Sequence, residues 1–80
     1  MIMEEREYVP YDLSSEEDRK ALRNKWVSAE GEEYPIGAIG QRRVMVNRIW
    51  ITPQTLLKCY TDAVTGEPCG KLIEFRRNYE

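Results

Sequence analysis

The sequence of 80 residues contains no histidine, and this absence excludes several kinds of chemistry. Histidine is the commonest general base near neutral pH, the usual partner of Ser and Cys nucleophiles and a frequent zinc ligand. Without it, the two cysteines, Cys59 and Cys69, cannot complete a four-ligand zinc site within one chain. We therefore expect no metal site, no cofactor and no enzymatic activity.

Long apolar runs are also missing, and cysteine is sparse. No segment approaches the roughly 20 apolar residues of a membrane helix, and residues 1–10 are too acidic for a signal peptide. Small disulfide-stabilised secreted domains carry more cysteines than this chain does. We expect a cytoplasmic protein without membrane contact, in which both cysteines are reduced and mostly buried.

The length predicts a single domain over residues 1–80, with residues 1–7 and 76–80 as flexible ends. Apolar residues make up 41% of the chain and charged residues 32%, which is typical of a folded domain. A chain of this size buries only about 60–65% of its unfolded surface, so its core is small. Self-association adds burial, and we expect a homo-oligomer, with a dimer favoured.

The net charge of −2 conceals an uneven distribution along the chain. Residues 1–40 carry ten acidic and five basic side chains, whereas residues 41–80 carry four acidic and seven basic ones. One interpretation is a random scatter of charge over a solvated surface. The other is a basic face that binds an anion, while the acidic half discourages general nucleic-acid binding.

The N-terminal half predicts an extended segment followed by a helix. Residues 4–12 surround a proline and favour an edge strand or arm. Ser14 is placed to cap the helix, with Glu17 completing a capping box. Leu22 and Trp26 lie on the narrow apolar stripe of that helix, which predicts packing against a sheet.

A hairpin around Asn47-Arg48 is the clearest element of the sequence. Its tight turn predicts three cross-strand pairs, which are Val44 with Ile51, Met45 with Trp50, and Val46 with Ile49. Neighbouring residues of a strand alternate between faces, so Met45 and Trp50 share the face opposite the valines. The leading helix, a partner subunit or a flat ligand ring on Trp50 are the three alternatives for what covers them.

The remaining pattern completes an α+β fold. Thr52 and Pro53 begin a second short helix, residues 62–70 form a loop, and a last strand follows. We predict an N-terminal helix packed on a small twisted antiparallel sheet or partial barrel, with the short second helix before the last strand. The predicted core consists of Val44, Val46, Ile49, Ile51, Leu56, Leu57, Tyr60, Leu72, Ile73 and Phe75.

Arginines near an aromatic ring suggest a site for an anionic nucleotide. An indole can stack on a base while guanidinium groups bind its phosphate. Backbone N–H groups in the loop before Gly70 offer a further phosphate cradle, and a pocket of sufficient size is expected between subunits. The candidate ligand-binding residues are Arg42, Arg43, Arg48, Trp50, Tyr60, Arg76 and Arg77.

Over roughly residues 8–75 the sequence resembles a group of short phage- and prophage-encoded proteins, mostly of unknown function, that end in a "YT…GxPCG" pattern. The matching segments here are Ile51-Thr52-Pro53, Leu56-Leu57, Tyr60-Thr61 and Gly66-Glu67-Pro68-Cys69-Gly70. Ala63-Val64-Thr65 stand where such proteins have a plain turn, which lengthens the loop. The resemblance implies an intracellular role during infection or lysogeny, and no mechanism.

Three hypotheses of function follow. The first is a phage counter-defence protein that acts by stoichiometric binding, either sequestering a host nucleotide immune signal or blocking a host defence protein directly. The second is an interaction module for nucleic acid or another phage protein. The third, a small enzyme, is disfavoured by the missing catalytic groups.

Overall fold

A computed structural model describes the backbone of residues 2–79 and the side chains of residues 6–73. This part of the chain forms two short helices and seven strands. In chain order they are β1 (Ile2–Val9), α1 (Glu16–Leu22), β2 (Trp26–Ala29), β3 (Glu32–Ile39), β4 (Val44–Val46), β5 (Ile49–Ile51), α2 (Pro53–Cys59), β6 (Thr61–Asp62) and β7 (Lys71–Tyr79).

The strands form two antiparallel sheets. Five strands lie in the order β5-β4-β3-β2-β6, and β1 pairs with β7 in a separate two-stranded sheet. The α+β class is confirmed. The prediction of a small antiparallel sheet or partial barrel holds for the antiparallel pairing, and over residues 2–79 neither sheet closes into a barrel. The edge strands β5 and β6 contain three and two residues, which leaves little backbone with which to close a barrel.

The order of the helices differs from the prediction. The first element is β1, so the extended segment predicted before the first helix is a paired strand. The short strand β6 separates α2 from β7, so α2 does not lead directly into the last strand. None of the helices in the described part of the chain has the length and apolar character of a membrane span.

Helix α1 begins one residue later than its capping pattern predicted. Ser15 is the N-cap, and its hydroxyl oxygen accepts the N–H of Asp18 at 3.4 Å. Ser14 lies one residue before the cap, and its hydroxyl donates to Asp12 Oδ1 at 2.6 Å. The helix ends at Leu22, and Asn24 has a φ of 64°. Trp26 therefore begins β2 rather than completing a helical stripe.

Helix α2 forms as predicted. Thr52 is its N-cap, and the side-chain oxygen accepts the N–H of Thr55 at 3.2 Å. Pro53 occupies the first turn, where its missing N–H costs nothing because that donor has no partner inside the helix. Both cysteines are free, but only Cys69 is buried; Cys59, at the end of α2, is exposed.

The core lies between the five-stranded sheet and the helices. Val44, Val46 and Leu56 were predicted correctly, and Ile51 and Tyr60 pack partly against them. The buried members of this cluster are Leu13, Leu22, Val27, Ile36, Val44, Val46, Leu56 and Cys69.

Three residues of the predicted core are exposed. Ile49 is 58% exposed because it lies in the edge strand β5, next to a turn. Leu72 and Ile73 are about half exposed because β7 pairs with β1 in a narrow ribbon rather than within the larger sheet. Leu57 is partly buried, and the side chain of Phe75 lies outside the described residues.

Candidate functional site

The β4–β5 hairpin has the predicted register. Val44 pairs with Ile51, Met45 with Trp50, and Val46 with Ile49. Its two turn residues both have positive φ, 51° at Asn47 and 65° at Arg48. A two-residue turn with left-handed backbone at both positions matches the twist of the two strands, so it holds the pairing in this register.

The two faces of the hairpin have different surroundings. Val44 and Val46 are fully buried and belong to the same cluster as Leu22 of α1. Leu22 of α1 therefore lies in the core on the valine side of the hairpin. On the other side, Trp50 is 46% exposed and Met45 is partly buried, so the cover predicted from the leading helix is not complete there.

The uncovered side of the five-stranded sheet carries both tryptophans of the chain. We call this surface the tryptophan face and define it by Trp26, Pro35, Gly37, Met45 and Trp50. Trp26 pairs with Pro35 across β2 and β3, so both side chains point to one side of the sheet. A Cβ placed on Gly37 lies 3.6 Å from the Met45 Cβ, which continues the surface to β4. Trp26 is 48% exposed.

A turn with two arginines lies beside the Trp50 indole. The Gly40 N–H donates to the Arg43 carbonyl at 2.8 Å and closes this turn. A Cβ placed on Gly40 lies 3.5 Å from Trp50 Cζ3, so the ring edge rests against the turn backbone. Arg43 immediately precedes β4, where the alternation of side chains puts it on the same side as Met45.

A second arginine reaches the tryptophan face from the hairpin turn. Arg48 contributes to a hollow of about 290 Å³ that lies on this face. The lining residues are Tyr34, Pro35, Gly37, Met45, Asn47 and Arg48. The hollow is therefore lined mainly by apolar groups, and Arg48 is the charged residue among its lining residues.

Arg42 faces a different part of the molecule. It lines a larger hollow of about 530 Å³ next to α1, together with Leu13, Ser14, Glu16, Arg19 and Gln41. The Arg19 guanidinium there donates to the Leu13 carbonyl at 3.3 Å. The structure thus separates Arg42 from Arg48, which the sequence analysis had grouped in one site.

Tyr60 does not line the hollow on the tryptophan face, although it contacts Tyr34, which does. It packs against the buried core, and its ring meets Tyr34 edge to face with centroids 6.5 Å apart. Arg76 and Arg77 lie in β7, opposite Glu5 and Glu4 of β1. Their side chains are outside the described residues. Of the seven candidate residues, Arg43, Arg48 and Trp50 are the ones that share this surface.

The loop before Gly70 uses its donors internally. The N–H groups of Val64 and Thr65 donate to Asp62 Oδ1, at 2.8 and 3.2 Å. The Gly66 N–H donates to the Asp62 carbonyl, and the Gly70 N–H to the Pro68 carbonyl. These groups are not available to cradle a phosphate as the sequence analysis had it, because the longer loop is folded on itself.

Lys25, Asp62 and Tyr11 form a polar cluster near the buried thiol of Cys69. Burial raises the pKa of Cys69 to about 11, so the thiol is neutral and a poor nucleophile. Burial also raises the pKa of the neighbouring Tyr11. Within residues 6–73 no group of three or more Cys, Asp or Glu side chains is arranged to hold a metal ion. We therefore assign this cluster a role in the stability of the fold.

No protein-family model, curated protein or solved structure matches this chain. The candidate site therefore rests on its own geometry. It combines an exposed indole, an apolar hollow and two arginines on one side of a sheet.

Trp26 is the member of this surface that the sequence analysis missed. The helical spacing of Leu22 and Trp26 assigned it to the stripe of α1. In β2 only Val27 is fully buried, and Trp26 next to it is 48% exposed. Neighbouring residues of a strand point to opposite sides of a sheet, so Trp26 lies on the side away from Val27 and the core.

Proposed function

We propose that this protein is a non-enzymatic binding protein that sequesters an anionic nucleotide on its tryptophan face. The observation that carries the proposal is the half-exposed Trp50 indole beside the arginine-bearing turn closed by Gly40. A nucleobase stacks on the indole, and the phosphate binds the guanidinium groups. The ligand is held in stoichiometric amounts and is not turned over.

The electrostatics of the site support an anionic ligand. Arg43 and Arg48 are exposed, and neither forms an ion pair with another side chain among residues 6–73. Guanidinium groups bind phosphate through paired, charge-assisted hydrogen bonds. Both arginines therefore have their full donor capacity available for a ligand.

The biological setting that we propose is phage counter-defence. The protein holds a host nucleotide immune signal in the cytoplasm of the infected cell and so prevents its recognition. This part of the proposal rests on the resemblance of residues 51–70 to short phage and prophage proteins, not on the fold.

We further propose that the protein acts as a homodimer. Ile49 and Trp50 leave apolar surface exposed along the free edge of the five-stranded sheet. Pairing of two such edges buries this surface and adds a wall to the shallow site. Light scattering at high micromolar concentration is expected to report twice the chain mass of 9.4 kDa.

Calorimetric titration with nucleotides tests the binding proposal. Arg43→Gln is expected to weaken binding by roughly 1.5–3 kcal/mol, since a charge-assisted hydrogen bond is lost. Trp50→Ala is expected to weaken it by roughly 1–3 kcal/mol through lost stacking. Lys58→Gln and Ile73→Ala change an exposed charge and an exposed apolar residue elsewhere, and should leave affinity unchanged.

Mass spectrometry of the purified protein identifies a ligand that is retained from the cell. A nucleotide released on denaturation supports the proposal, provided that Trp50→Ala no longer retains it. The proposal fails if no tested nucleotide gives heat with the wild-type protein and the purified protein retains no ligand. Direct blocking of a host defence protein is then the better interpretation of the exposed face.

A further inference from the structure

We infer that the tryptophan face binds a single-stranded oligonucleotide of about four to five bases rather than an isolated mononucleotide. The inference rests on the proposed function and concerns the same surface. It follows from the position of Trp26 relative to Trp50. The proposed function uses Trp50 alone as a stacking ring.

The spacing of the two rings sets the length of the ligand. Trp26 lies in β2 and Trp50 in β5, with β3 and β4 between them. Three strand spacings of about 4.8 Å separate the two strands by about 14 Å. At about 3.4 Å per stacking step, about four steps cover that distance, so a strand of about five nucleotides reaches from one ring to the other. One base therefore cannot contact both indoles, whereas the two ends of a short strand can.

The surface between the rings suits such a strand. Pro35, Gly37 and Met45 form a low apolar floor, because Gly37 has no side chain to block it. Sheet faces with exposed aromatic rings bind single strands in this way, since every base has a ring face to stack. Arg48 lies at the rim of the floor and Arg43 precedes β4 on the same side of the sheet, where each is placed to bind phosphate.

The charge of the molecule limits the ligand to a short one. Glu33 pairs with Ser28 and so lies on the same side of the sheet as Trp26, near one end of the tryptophan face. The chain as a whole has a net charge of −2. A long nucleic acid meets this acidic surface beyond the face, whereas a short oligonucleotide meets mainly the two arginines. Charge thus favours a small ligand, and ring spacing favours more than one base.

Titration with a length series tests the inference. The probes are thymidine monophosphate, a dinucleotide, a linear tetranucleotide, a linear hexanucleotide and a cyclic tetranucleotide. Affinity is expected to rise by about tenfold or more between the mononucleotide and the tetranucleotides, as stacking on a second ring is gained. It should level off at the hexanucleotide. Comparison of the linear and cyclic tetranucleotides shows whether the face prefers a linear strand or a cyclic oligonucleotide.

Two variants separate this inference from the proposed function. Trp26→Ala should abolish the gain with length, whereas Trp50→Ala should weaken binding of every probe. In Trp50→Phe, Trp26 is the only tryptophan left, and its fluorescence should be quenched by the tetranucleotide but not by the mononucleotide. Circular dichroism of each variant verifies that it is folded.

The outcomes are distinguishable. Mononucleotide binding that does not increase with length overturns the inference and leaves the proposed function intact. Equal loss of mononucleotide and tetranucleotide binding in folded Trp26→Ala also overturns it, because Trp26 then acts on the Trp50 site. If no probe binds the wild-type protein, the proposed function itself fails.

Discussion

Lys25 Nζ lies 2.7 Å from Asp62 Oδ2, and this pair connects the sheet to the long loop. The two side chains are only 20% and 15% exposed. The other carboxylate oxygen of Asp62 accepts the N–H groups of Val64 and Thr65. One carboxylate therefore holds both the lysine and the first turn of the loop.

Removing this carboxylate's charge should destabilise the protein strongly. In Asp62→Asn the mostly buried Lys25 loses its counter-ion, which for a buried pair costs about 3 kcal/mol. Urea denaturation followed by circular dichroism measures the change. Glu16→Gln is the matched control, because its ion pair with Arg23 is exposed and should contribute less than about 1 kcal/mol. Equal midpoints for the two variants would contradict the assignment.

The same carboxylate should make the protein sensitive to acid. The hydrogen bond from Lys25 lowers the pKa of Asp62 below its ordinary value of 3.8. For Lys25, burial acts to lower the pKa, but the hydrogen bond to Asp62 and the nearby Tyr11 outweigh it and the pKa is raised. Because the folded pKa of Asp62 is depressed, its contribution is complete above about pH 4 and is lost as the pH falls through the folded value.

A pH series of unfolding free energies measures this effect. The stability of the wild-type protein is expected to fall below about pH 4, whereas Asp62→Asn should lose less over the same interval. A fall of the same size in both proteins assigns the acid sensitivity to other carboxylates.

Leu56 should matter more to stability than its neighbour Leu57. Leu56 is fully buried, and its truncation to alanine is expected to cost about 3 kcal/mol through lost contacts and a cavity. Leu57 is only partly buried, so Leu57→Ala should cost about 1 kcal/mol. Denaturant midpoints of the two variants give the comparison, and a reversed order would mean that α2 presents its other side to the core.

Elements whose determinants lie within a few residues could be predicted from the sequence. The cap of α2 needs only Thr52 and Pro53, and the hairpin register needs only the turn at Asn47-Arg48 and the alternation beside it. The candidate site residues on that hairpin, Trp50 among them, were proposed for the same reason.

Features that depend on distant contacts could not be predicted in this way. Leu72 looks like a core residue, and its exposure follows from the pairing of β7 with β1 at the other end of the chain. Trp26 has a helical spacing to Leu22, and the positive φ of Asn24 breaks that helix. Pairing of β2 with β3 then places Trp26 on the same side of the sheet as Trp50.

The two cysteines should differ sharply in reactivity. Cys59 is exposed, whereas burial raises the pKa of Cys69 to about 11 and keeps its thiol neutral. At pH 8 a thiol reagent is expected to modify one cysteine of the native protein quickly and the second only after denaturation. In Cys59→Ser the fast reaction should disappear. Rapid modification of both thiols in native protein would show that Cys69 is accessible.

Arg48 should prove unfavourable for folding and favourable for binding. Its φ of 65° is left-handed, a conformation that costs a residue with a side chain roughly 1 kcal/mol and costs glycine little. Asn-Gly is also the preferred pair for a turn of this type. Arg48→Gly is therefore expected to stabilise the protein by about 1 kcal/mol while removing a guanidinium group from the rim of the tryptophan face.

Denaturation and ligand titration of the same Arg48→Gly sample test both effects together. In Arg48→Gly, a higher urea midpoint together with weaker nucleotide binding supports a trade between stability and binding. Arg48→Ala should lose binding without the gain in stability. Lower stability in Arg48→Gly would mean that the side chain contributes contacts that outweigh its backbone strain. Unchanged binding in both variants would remove Arg48 from the site and leave Arg43 beside Trp50 as the cation that binds the phosphate.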